Sequence, residues 1–500
     1  MTQKLLILIL GVFCTALAVA QDTPKKMKID IRRADYIEFN ENIGNQARRI
    51  VGDVLFEHNK VLMHCDSAYS YPTNKIEAFG NVHINQGDTL HMYGDYMEYN
   101  GNTNNGKVKY NVRLRDEETL LVTDTLYFNS RTSIANYLTG GTITQDDQRL
   151  ESRIGFYYSS RKIIHFKDSV RITTPDYLVK TDTLKYNLHT ETAYFLGPTE
   201  LFNKEHYLYC ERGDFQANEK IFQCEQNVHY KNGSSLMWSD YLFYNDSLDY
   251  GWARQNVRME DTVERVIMTG HYAYYNQEPE RGYLTDSALM IIYDDKDSLF
   301  LHADTLFSNV DSTGEEHIFK AYNKAQFYRA DLQGRCDSLV YHTRDSSITM
   351  YQKPVLWSEQ NQITAAQMTF FLRDEAIDRF ELQGNALIIS KEDVDNFNQL
   401  RGKVMKGFFS QGDLRRVDVF GNAQSIYFTR DNDKLIGINQ AESTDMRIQM
   451  FDSQVTSVNM IQKPDGIMYP QGQLEETKLT GFEWLEPMRP LSSKAVFIWK

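Results

Sequence analysis

Alternating polar and apolar residues form a short pattern that recurs along most of the chain. Each copy has a polar residue and an acidic residue, followed by alternating aliphatic and aromatic residues that end in Tyr or Phe, as in Val-Thr-Asp124-Thr-Leu-Tyr-Phe128. Successive side chains of a β-strand point to opposite faces. The pattern therefore predicts a strand in which Asp124, Leu126 and Phe128 share one face.

The copies of this pattern are evenly spaced. From residue 66 to residue 240 the acidic phase position recurs every 29 residues, at Asp66, Asp95, Asp124, Arg153, Asp182, Glu211 and Asp240. A fixed period of this size is typical of one supersecondary unit that is repeated in an array. Looser copies on both sides give about fourteen units in all. The surface that carries the function is therefore expected to be extended.

Each unit predicts two strands that are joined by a turn. Asn, Gly and Ser follow the first strand, and these residues suit turns with unusual backbone angles. The second half contains an Asn-Val or Gly-Asn step, and a glycine at that step predicts a bend or a bulge. The glycines that hold this place are Gly80, Gly197, Gly384 and Gly421.

The recurrent Asp has three interpretations. The favoured one is structural, with the Asp at the entry of the strand, where it accepts hydrogen bonds from turn amides and discourages edge pairing. The second is a ladder of acids that binds cations. The third is an O-glycosylation acceptor motif of exported Gram-negative proteins, which is matched by Asp66-Ser-Ala, Asp304-Thr-Leu and Asp337-Ser-Leu.

The N-terminus has the features of a secretory signal peptide. Lys4 precedes an apolar run over residues 5–12, and Ala18-Val-Ala20 provides small residues for cleavage after Ala20. Residues 1–20 are therefore assigned to the signal and residues 21–199 to the first part of the array. Residues 200–463 are expected to continue the repeats, and residues 464–500 to form a C-terminal cap that covers the last edge.

Composition and charge narrow the choice of fold and partner. The chain has 31 Tyr and 27 Phe against 10 Pro, and aromatic residues favour strands. Its formal net charge of −14 argues against nucleic acid as a partner. If residues 210–224 form a hairpin, Cys210 and Cys224 face each other, and an exported protein permits a disulfide between them. The favoured interpretation is that these cysteines are small buried apolar side chains.

Motifs of catalysis and cofactor binding were sought and not found in the sequence. There is no His-Glu-x-x-His zinc motif, no Gly-x-Ser-x-Gly elbow, no phosphate-binding loop and no dinucleotide fingerprint. Acidic pairs such as Asp294-Asp295 are better explained as solvated turn residues. We therefore expect no enzyme activity, no cofactor, no metal site and no catalytic residue.

Three blocks near the N-terminus resemble the OstA-like (LptA-type) family. They are Ile50-Val-Gly-Asp-Val-Leu-Phe56, then Met63-His-Cys-Asp66, then Ala78-Phe-Gly-Asn-Val-His-Ile84. The order is similar to that of the family, and the full pattern covers residues 31–199, with weaker copies to about residue 460. A typical bridge protein of the family is much shorter than this chain.

The resemblance implies a fold and a function. The expected fold is all-β, an elongated, twisted, open β-jellyroll built from stacked antiparallel hairpin repeats of about 29 residues. The implied function is non-enzymatic periplasmic transport of lipopolysaccharide towards the outer membrane, with acyl chains held inside an apolar groove. Partner jellyroll proteins would pair with its edge strands. An association with the outer membrane is left open.

The groove residues are predicted from their phase with the recurrent Asp. They are Leu126, Phe128, Leu184, Tyr186, Leu242 and Tyr244. The same face equally fits a closed core, so an exported β-repeat scaffold or adhesin without a lipid ligand remains the alternative function. A parallel β-helix and a leucine-rich repeat are less compatible, because the turns look like hairpin turns and a Leu-x-x-Leu-x-Leu frame is missing.

Overall fold

The computed structural model describes residues 27–39, 44–88, 90–204, 206–311, 313–374, 376–431, 434–451, 454–470, 473 and 477–500. The described residues form two compact units, with the boundary between Lys162 and Ile163. The predicted signal peptide, with its Cys14, lies outside the described residues.

The first unit is built from antiparallel strands and two turns of 3₁₀ helix, at Gly44–Gln46 and Ser159–Arg161. Its strands are β1 Asp30–Arg33, β2 Tyr36–Phe39, β3 Arg48–His58, β4 Val61–Tyr71, β5 Lys75–Gln86, β6 Leu90–Asn100, β7 Asn105–Asp116, β8 Thr119–Asn129, β9 Ile134–Tyr137, β10 Gly141–Gln145, β11 Gln148–Ser152 and β12 Ile154–Tyr158.

The second unit continues in the same way and has 3₁₀ turns at Glu486–Met488 and Ala495–Phe497. Its strands are β13 Ile163–Thr173, β14 Leu178–Asn187, β15 Thr192–Phe195, β16 Thr199–Phe202, β17 His206–Cys210, β18 Arg212–Gln216, β19 Ile221–Asn232, β20 Ser235–Asn245, β21 Tyr250–Asp261, β22 Val266–Gln277, β23 Glu280–Tyr293, β24 Ser298–Val310, β25 His317–Arg329, β26 Leu332–His342, β27 Ser347–Tyr351, β28 Val355–Ser358, β29 Asn361–Thr364, β30 Gln367–Arg373, β31 Ala376–Lys391, β32 Phe397–Ser410, β33 Asp413–Asp431, β34 Lys434–Phe451, β35 Gln454–Ile461 and β36 Asp465–Tyr469.

Most long consecutive strands pair as antiparallel hairpins, whereas several short strands pair with a strand further along the chain, as β9 does with β12 and β15 with β18. The regular run β3 to β8 and the run β19 to β26 each consist of long strands that pair with the strand before and the strand after. The predicted fold class, an all-β jellyroll of stacked antiparallel hairpins, is confirmed.

Most long strands bend at a two-residue bulge near their middle. Gly80-Asn81 has φ values of 73° and 43°, and Gln255-Asn256 has 59° and 52°. The pairing register shifts at the same places. Glycine is required at residue 80, because a Cβ atom there would lie 2.3 Å from an oxygen of Asp66.

The bulges predicted at Gly80, Gly384 and Gly421 are confirmed by their positive φ values of 73°, 78° and 73°. Gly197 differs from these, because it lies in the break between β15 and β16. A break between two strands has the same effect as a bulge, because both allow the chain to change direction within one repeat.

The recurrent Asp lies opposite these bulges. Asn81 Nδ2 donates to Asp66 Oδ2 at 2.9 Å, and Asn256 Nδ2 donates to Asp240 Oδ2 at 2.7 Å. The prediction that the Asp stands at the strand entry is wrong, because Asp66 is in the middle of β4. The Asp instead secures the bend of the neighbouring strand, with an Asn that tolerates the left-handed conformation.

Replacement of Asn256 should reveal the contribution of this bend. We expect Asn256→Ala to lower the free energy of unfolding by about 1–2 kcal/mol, because alanine is strained at positive φ and the bond to Asp240 is lost. Asn256→Gly loses the hydrogen bond without the strain and should cost less. Urea denaturation of both variants measures the difference; an alanine variant as stable as the glycine variant would contradict it.

The bends divide the strands of each unit into two sheets. We call sheet I the set of segments that includes residues 61–65 in the first unit and 257–261 in the second. Sheet II includes residues 67–71 and 250–254. In β8 the inward positions are Leu121 and Thr123 before the bend and Leu126 and Phe128 after it. Asp124 is exposed at the corner, so the prediction that it shares a face with Leu126 is wrong.

Apolar side chains from both sheets form one core in the second unit. Leu301, Phe327 and Leu356 of sheet I belong to the same cluster as Leu306 and Leu382 of sheet II. Because these side chains are buried together, the two sheets pack face to face. Burial of their apolar surface is the main stabilising contribution to the unit.

The C-terminal segment, which was expected to form a cap, has two parts. Strand pairing continues beyond residue 464, because β36 pairs with β34. Residues 477–500 then pack on earlier strands of the second unit, with contacts from Gln399 to Gln326. Residues 477–500 therefore lie on a face of the sheet, whereas β36 lies along an edge of β34, and the cap predicted for residues 464–500 stays a prediction.

Candidate functional site

The six predicted groove residues all lie in sheet II and point inward. In the first unit, Leu126 and Phe128 are 0% and 9% exposed. In the second unit Leu184 and Tyr186 are buried, whereas Leu242 and Tyr244 are only partly buried. Whether any of them contacts a ligand stays a prediction.

The structure brings four of these residues into two cross-strand rows. Leu184 and Leu242 belong to one row, through Phe195, Gly213 and Cys224. Tyr186 and Tyr244 belong to the adjacent row, through Ala193, Phe215 and Phe222. The 58-residue spacing between the members of each pair therefore places them on the same inward line of sheet II.

Polar side chains bridge the two sheets of the first unit. His58 Nδ1 lies 2.8 Å from Tyr99 Oη, which in turn lies 2.8 Å from Ser130 Oγ. Gln86 Nε2 donates to the Ser130 carbonyl oxygen and to Ser133 Oγ, both at 3.3 Å. Burial raises the pKa of Tyr99. These contacts join the hairpin ends of sheet I to those of sheet II.

An ion pair between Lys162 and Asp116 joins further hairpin ends in the next repeat. Lys162 Nζ donates to Asp116 Oδ1 at 2.8 Å, and Tyr157 also donates a hydrogen bond to Asp116. Burial, and then Asp116, raise the pKa of Tyr157, so the phenol stays protonated and donates. Asp116 is 4% exposed. Its two partners compensate for the removal of its charge from water.

A small apolar cavity lies beneath these polar contacts. Its volume is about 30 Å³, and Phe128 lies in its wall together with Leu114, Met92, Ile84 and Val61. About one water molecule would fill such a space. The inward side chains around Phe128 are therefore well packed.

The second unit has a more open interior. Four methionines of sheet I, one on each of four consecutive strands, face inward in one register: Met237, Met259, Met268 and Met290. All four are partly exposed although they contact the main core. Ile292 lies two residues after Met290 on β23, on the same face, and is 41% exposed. Solvent therefore reaches the inward face of sheet I here.

Sheet II provides the opposite wall of this opening. Leu242 and Tyr244 lie on it, with Tyr275 and Phe319 at 41% and 43% exposure. Burial, and then a hydrogen bond that Tyr244 Oη donates to Asp249 at 2.7 Å, raise the pKa of Tyr244. We call this set, together with the four methionines and Ile292, the open trough.

The sequence analysis found Leu242 and Tyr244 but missed the methionines. Met237, Met259, Met268 and Met290 are separated by 22, 9 and 22 residues, so they do not follow the 29-residue period of the recurrent Asp. They meet because antiparallel hairpins pair residues at variable separations on either side of each turn. Pairing each predicted strand with the next around its turn would have found the row.

The two cysteines of the predicted disulfide are neighbours in the structure. Cys210 and Cys224 are both buried and both free. Contact with the Cys210 thiol, and then burial, raise the pKa of Cys224 well above its usual range. The structure has no bond between them, and formation of the disulfide under oxidising conditions stays a prediction.

Other kinds of site were examined in the described part of the chain. Among those residues no group of three or more His, Cys, Asp or Glu side chains is arranged to hold a metal ion. No helix in the same residues has the length and apolarity needed to cross a membrane.

The fold and the open trough define a class of protein, a repeat-built β-jellyroll with an inward apolar surface that is accessible from solvent. The family described as OstA-like protein matches residues 26–182, 178–240 and 200–310. Together these matches run without a gap through more than half of the 500 residues. The chain belongs to the OstA-like family, as its N-terminal motifs predicted.

Comparison with solved structures gives a match to LptH of Pseudomonas aeruginosa, described as the LptA-homologous periplasmic component of the conserved lipopolysaccharide transport device. Sequence identity is 15%, and the match covers 28% of this chain and 95% of that one, with a TM-score of 0.22. At this score the likeness carries no argument, and the fold assignment rests on the strand pairing above. No curated protein matches the chain.

Proposed function

We propose that this chain is a non-enzymatic periplasmic lipopolysaccharide-transport protein, and that the open trough of the second unit binds acyl chains. The observation that carries the proposal is the row of four partly exposed methionines on the inward face of an OstA-like jellyroll. Exposed apolar side chains that line an interior surface, and do not complete a core, indicate a ligand.

The chemistry of the trough suits a flexible apolar ligand. Methionine is unbranched and polarizable, and it fills irregular space around different ligands. Each methylene group of an acyl chain that leaves water contributes about 0.8 kcal/mol to the free energy of binding. The affinity can therefore vary with the number of methylene groups that the trough buries. Movement along the trough would need changes in burial only, with no covalent step.

The edges of the fold support the proposed partner, another jellyroll protein that adds a strand. β35 and β36 pair with β34 and with no other strand in the described chain. Val458 and Met460 on β35 are 47% and 38% exposed. A strand that has one unpaired edge and exposed apolar side chains favours β-augmentation by a partner strand. Such pairing would extend the trough into a bridge towards the outer membrane.

The periplasmic localisation of the protein is part of the same proposal. Cleavage after Ala20 would release the mature chain into the periplasm. N-terminal sequencing of the exported protein tests it, with Gln21 expected as the first residue.

A scaffold or adhesin is the second candidate function. The polar bridges and the small volume of the cavity beside Phe128 favour it, because they hold the two sheets of the first unit together. A closed scaffold does not explain the open trough of the second unit, because apolar side chains there are accessible to solvent.

In-cell photocrosslinking distinguishes the two candidates. A photoreactive residue is placed at Tyr244 and Met259 in the trough, at Phe128 and Tyr186 on the buried inward face, and at the outward positions Tyr127 and Lys185 as controls. We expect lipopolysaccharide adducts at Tyr244 and Met259 and none at the controls. Adducts at no position of the folded, exported protein would favour the scaffold, and adducts at the controls alone would reverse the assignment of the faces.

A further inference from the structure

Four buried glutamines on the outer face of sheet I contact the C-terminal segment: Gln333 accepts a hydrogen bond from the Arg489 side chain at 2.7 Å, and the other three contact the backbone of the segment. Gln326, Gln362 and Gln399, on β25, β29 and β32, are 1%, 0% and 3% exposed. They point away from the main core, because their neighbours Phe327, Ile363 and Leu400 contact it. A buried amide is costly unless its donors and acceptor are paired.

Three of the glutamines pair with the backbone of residues 477–500. Gln362 Nε2 donates to the Glu483 carbonyl at 2.7 Å, and its Oε1 accepts from the Leu485 amide at 2.7 Å. Gln399 repeats this arrangement with the Thr477 carbonyl and the Leu479 amide, both at 2.8 Å. In each pair the side chain binds the carbonyl of one residue and the amide of the second residue after it.

Gln326 contacts the last part of the segment. Its Nε2 donates to the carbonyls of Val496 and Ile498, each at 3.1 Å. The segment therefore crosses several strands of sheet I, from β32 back to β25. Because it runs across the strands, the glutamine side chains replace the backbone partners that a neighbouring strand would supply.

Apolar anchors accompany the amide contacts. Phe482 and Trp484 each lie with their ring centroids 5.2 Å from that of Phe397, in a small cluster separate from the main core. Near the end of the chain, the Arg335 guanidinium lies 3.8 Å from the centre of the Trp499 ring. A Phe-x-Trp sequence occurs at both places, at residues 482–484 and 497–499.

We propose that the outer face of sheet I over β25–β32 is a peptide-binding groove, and that residues 477–500 are its exchangeable intramolecular ligand. The chemical class of the ligand is an extended peptide with Phe-x-Trp anchors. Three of the glutamines bind its backbone and the anchors set its register. The inference is independent of the lipid that the trough binds, because the groove lies on the opposite face of the sheet.

The test uses the full chain with a protease recognition sequence inserted between Pro470 and Thr477, cut after folding. A fluorescently labelled synthetic peptide of residues 477–500 is then added, and anisotropy measures its binding. We expect saturable exchange while circular dichroism of the body stays unchanged. Gln362→Ala and Gln399→Ala should each weaken binding by about tenfold, because one buried amide contact is lost.

The matched control is Gln449→Ala, at an exposed glutamine of β34, which should bind the peptide as the parent chain does. Absence of exchange in a folded, cut chain would overturn the proposal, since the segment would then be an integral part of the fold. Unfolding after the cut would overturn it for the same reason. Equal binding by the glutamine variants would overturn recognition of the backbone by their amides.

Discussion

Met268→Glu is expected to reduce lipopolysaccharide crosslinking in the trough at least tenfold while the protein remains folded. A carboxylate in the middle of the methionine row would have to lose water when an acyl chain binds, which costs several kcal/mol without a partner. Met268 is partly exposed, so the unliganded protein can accommodate the charge. The measurement is adduct formation from a photoreactive residue at Tyr244, together with thermal denaturation of the purified variant.

The control for this variant is one residue away. Thr269 lies on the outer face of the same strand, opposite Arg258 and Leu289. Thr269→Glu adds the same charge to β22 and should leave crosslinking unchanged. Undiminished adducts in Met268→Glu would show that acyl chains do not pass this row, and would move the lipid site elsewhere.

Leu126→Ala should be far more destabilising than Leu242→Ala, although the two residues hold the same place in the repeat. Leu126 is 0% exposed, and removal of a fully buried leucine costs about 2–5 kcal/mol, because a cavity is left. Leu242 is partly exposed in the trough, so its truncation should cost only about 1–2 kcal/mol. Calorimetry of both variants compares their unfolding transitions.

The comparison of Leu126→Ala with Leu242→Ala also distinguishes a core position from a groove position, although the two residues hold the same place in the repeat. If Leu242→Ala proved as costly as Leu126→Ala, the trough would be closed in solution and the scaffold function would gain support. If Leu126→Ala were nearly neutral, the first unit would have to open, and Phe128 would become a candidate lipid contact.

The bulges and strands of this protein were predictable because they depend on local chemistry. Period-2 alternation gives a strand, and Gly80 with Asn81 gives a left-handed bend, wherever the repeat places them. The role of Asp66 was not predictable in the same way. Its partner Asn81 lies on the neighbouring strand, so the strand pairing had to be known before the contact could be seen.

The six predicted groove residues all face inward in the structure, but the sequence could not separate buried members from accessible ones. Leu184 and Leu242 have the same phase and lie in the same cross-strand row. Their different exposure depends on what the opposite sheet and the hairpin ends place above them. Leu126 of the first unit has the same phase and is buried where His58, Gln86 and Asp116 join the hairpin ends, whereas Leu242 lies in the open trough with the partly exposed methionine row.

The sequence by itself determined the repeat, the all-β class, the bends and the OstA-like family, because each of these depends on spacing and on residue type along one strand. Only the tertiary structure decided where the interior is open, that the four methionines form a row, and that residues 477–500 lie in a glutamine-lined groove. These features depend on contacts between residues far apart in the chain. Such contacts are fixed by hairpin register and by packing between sheets, and no local pattern encodes them.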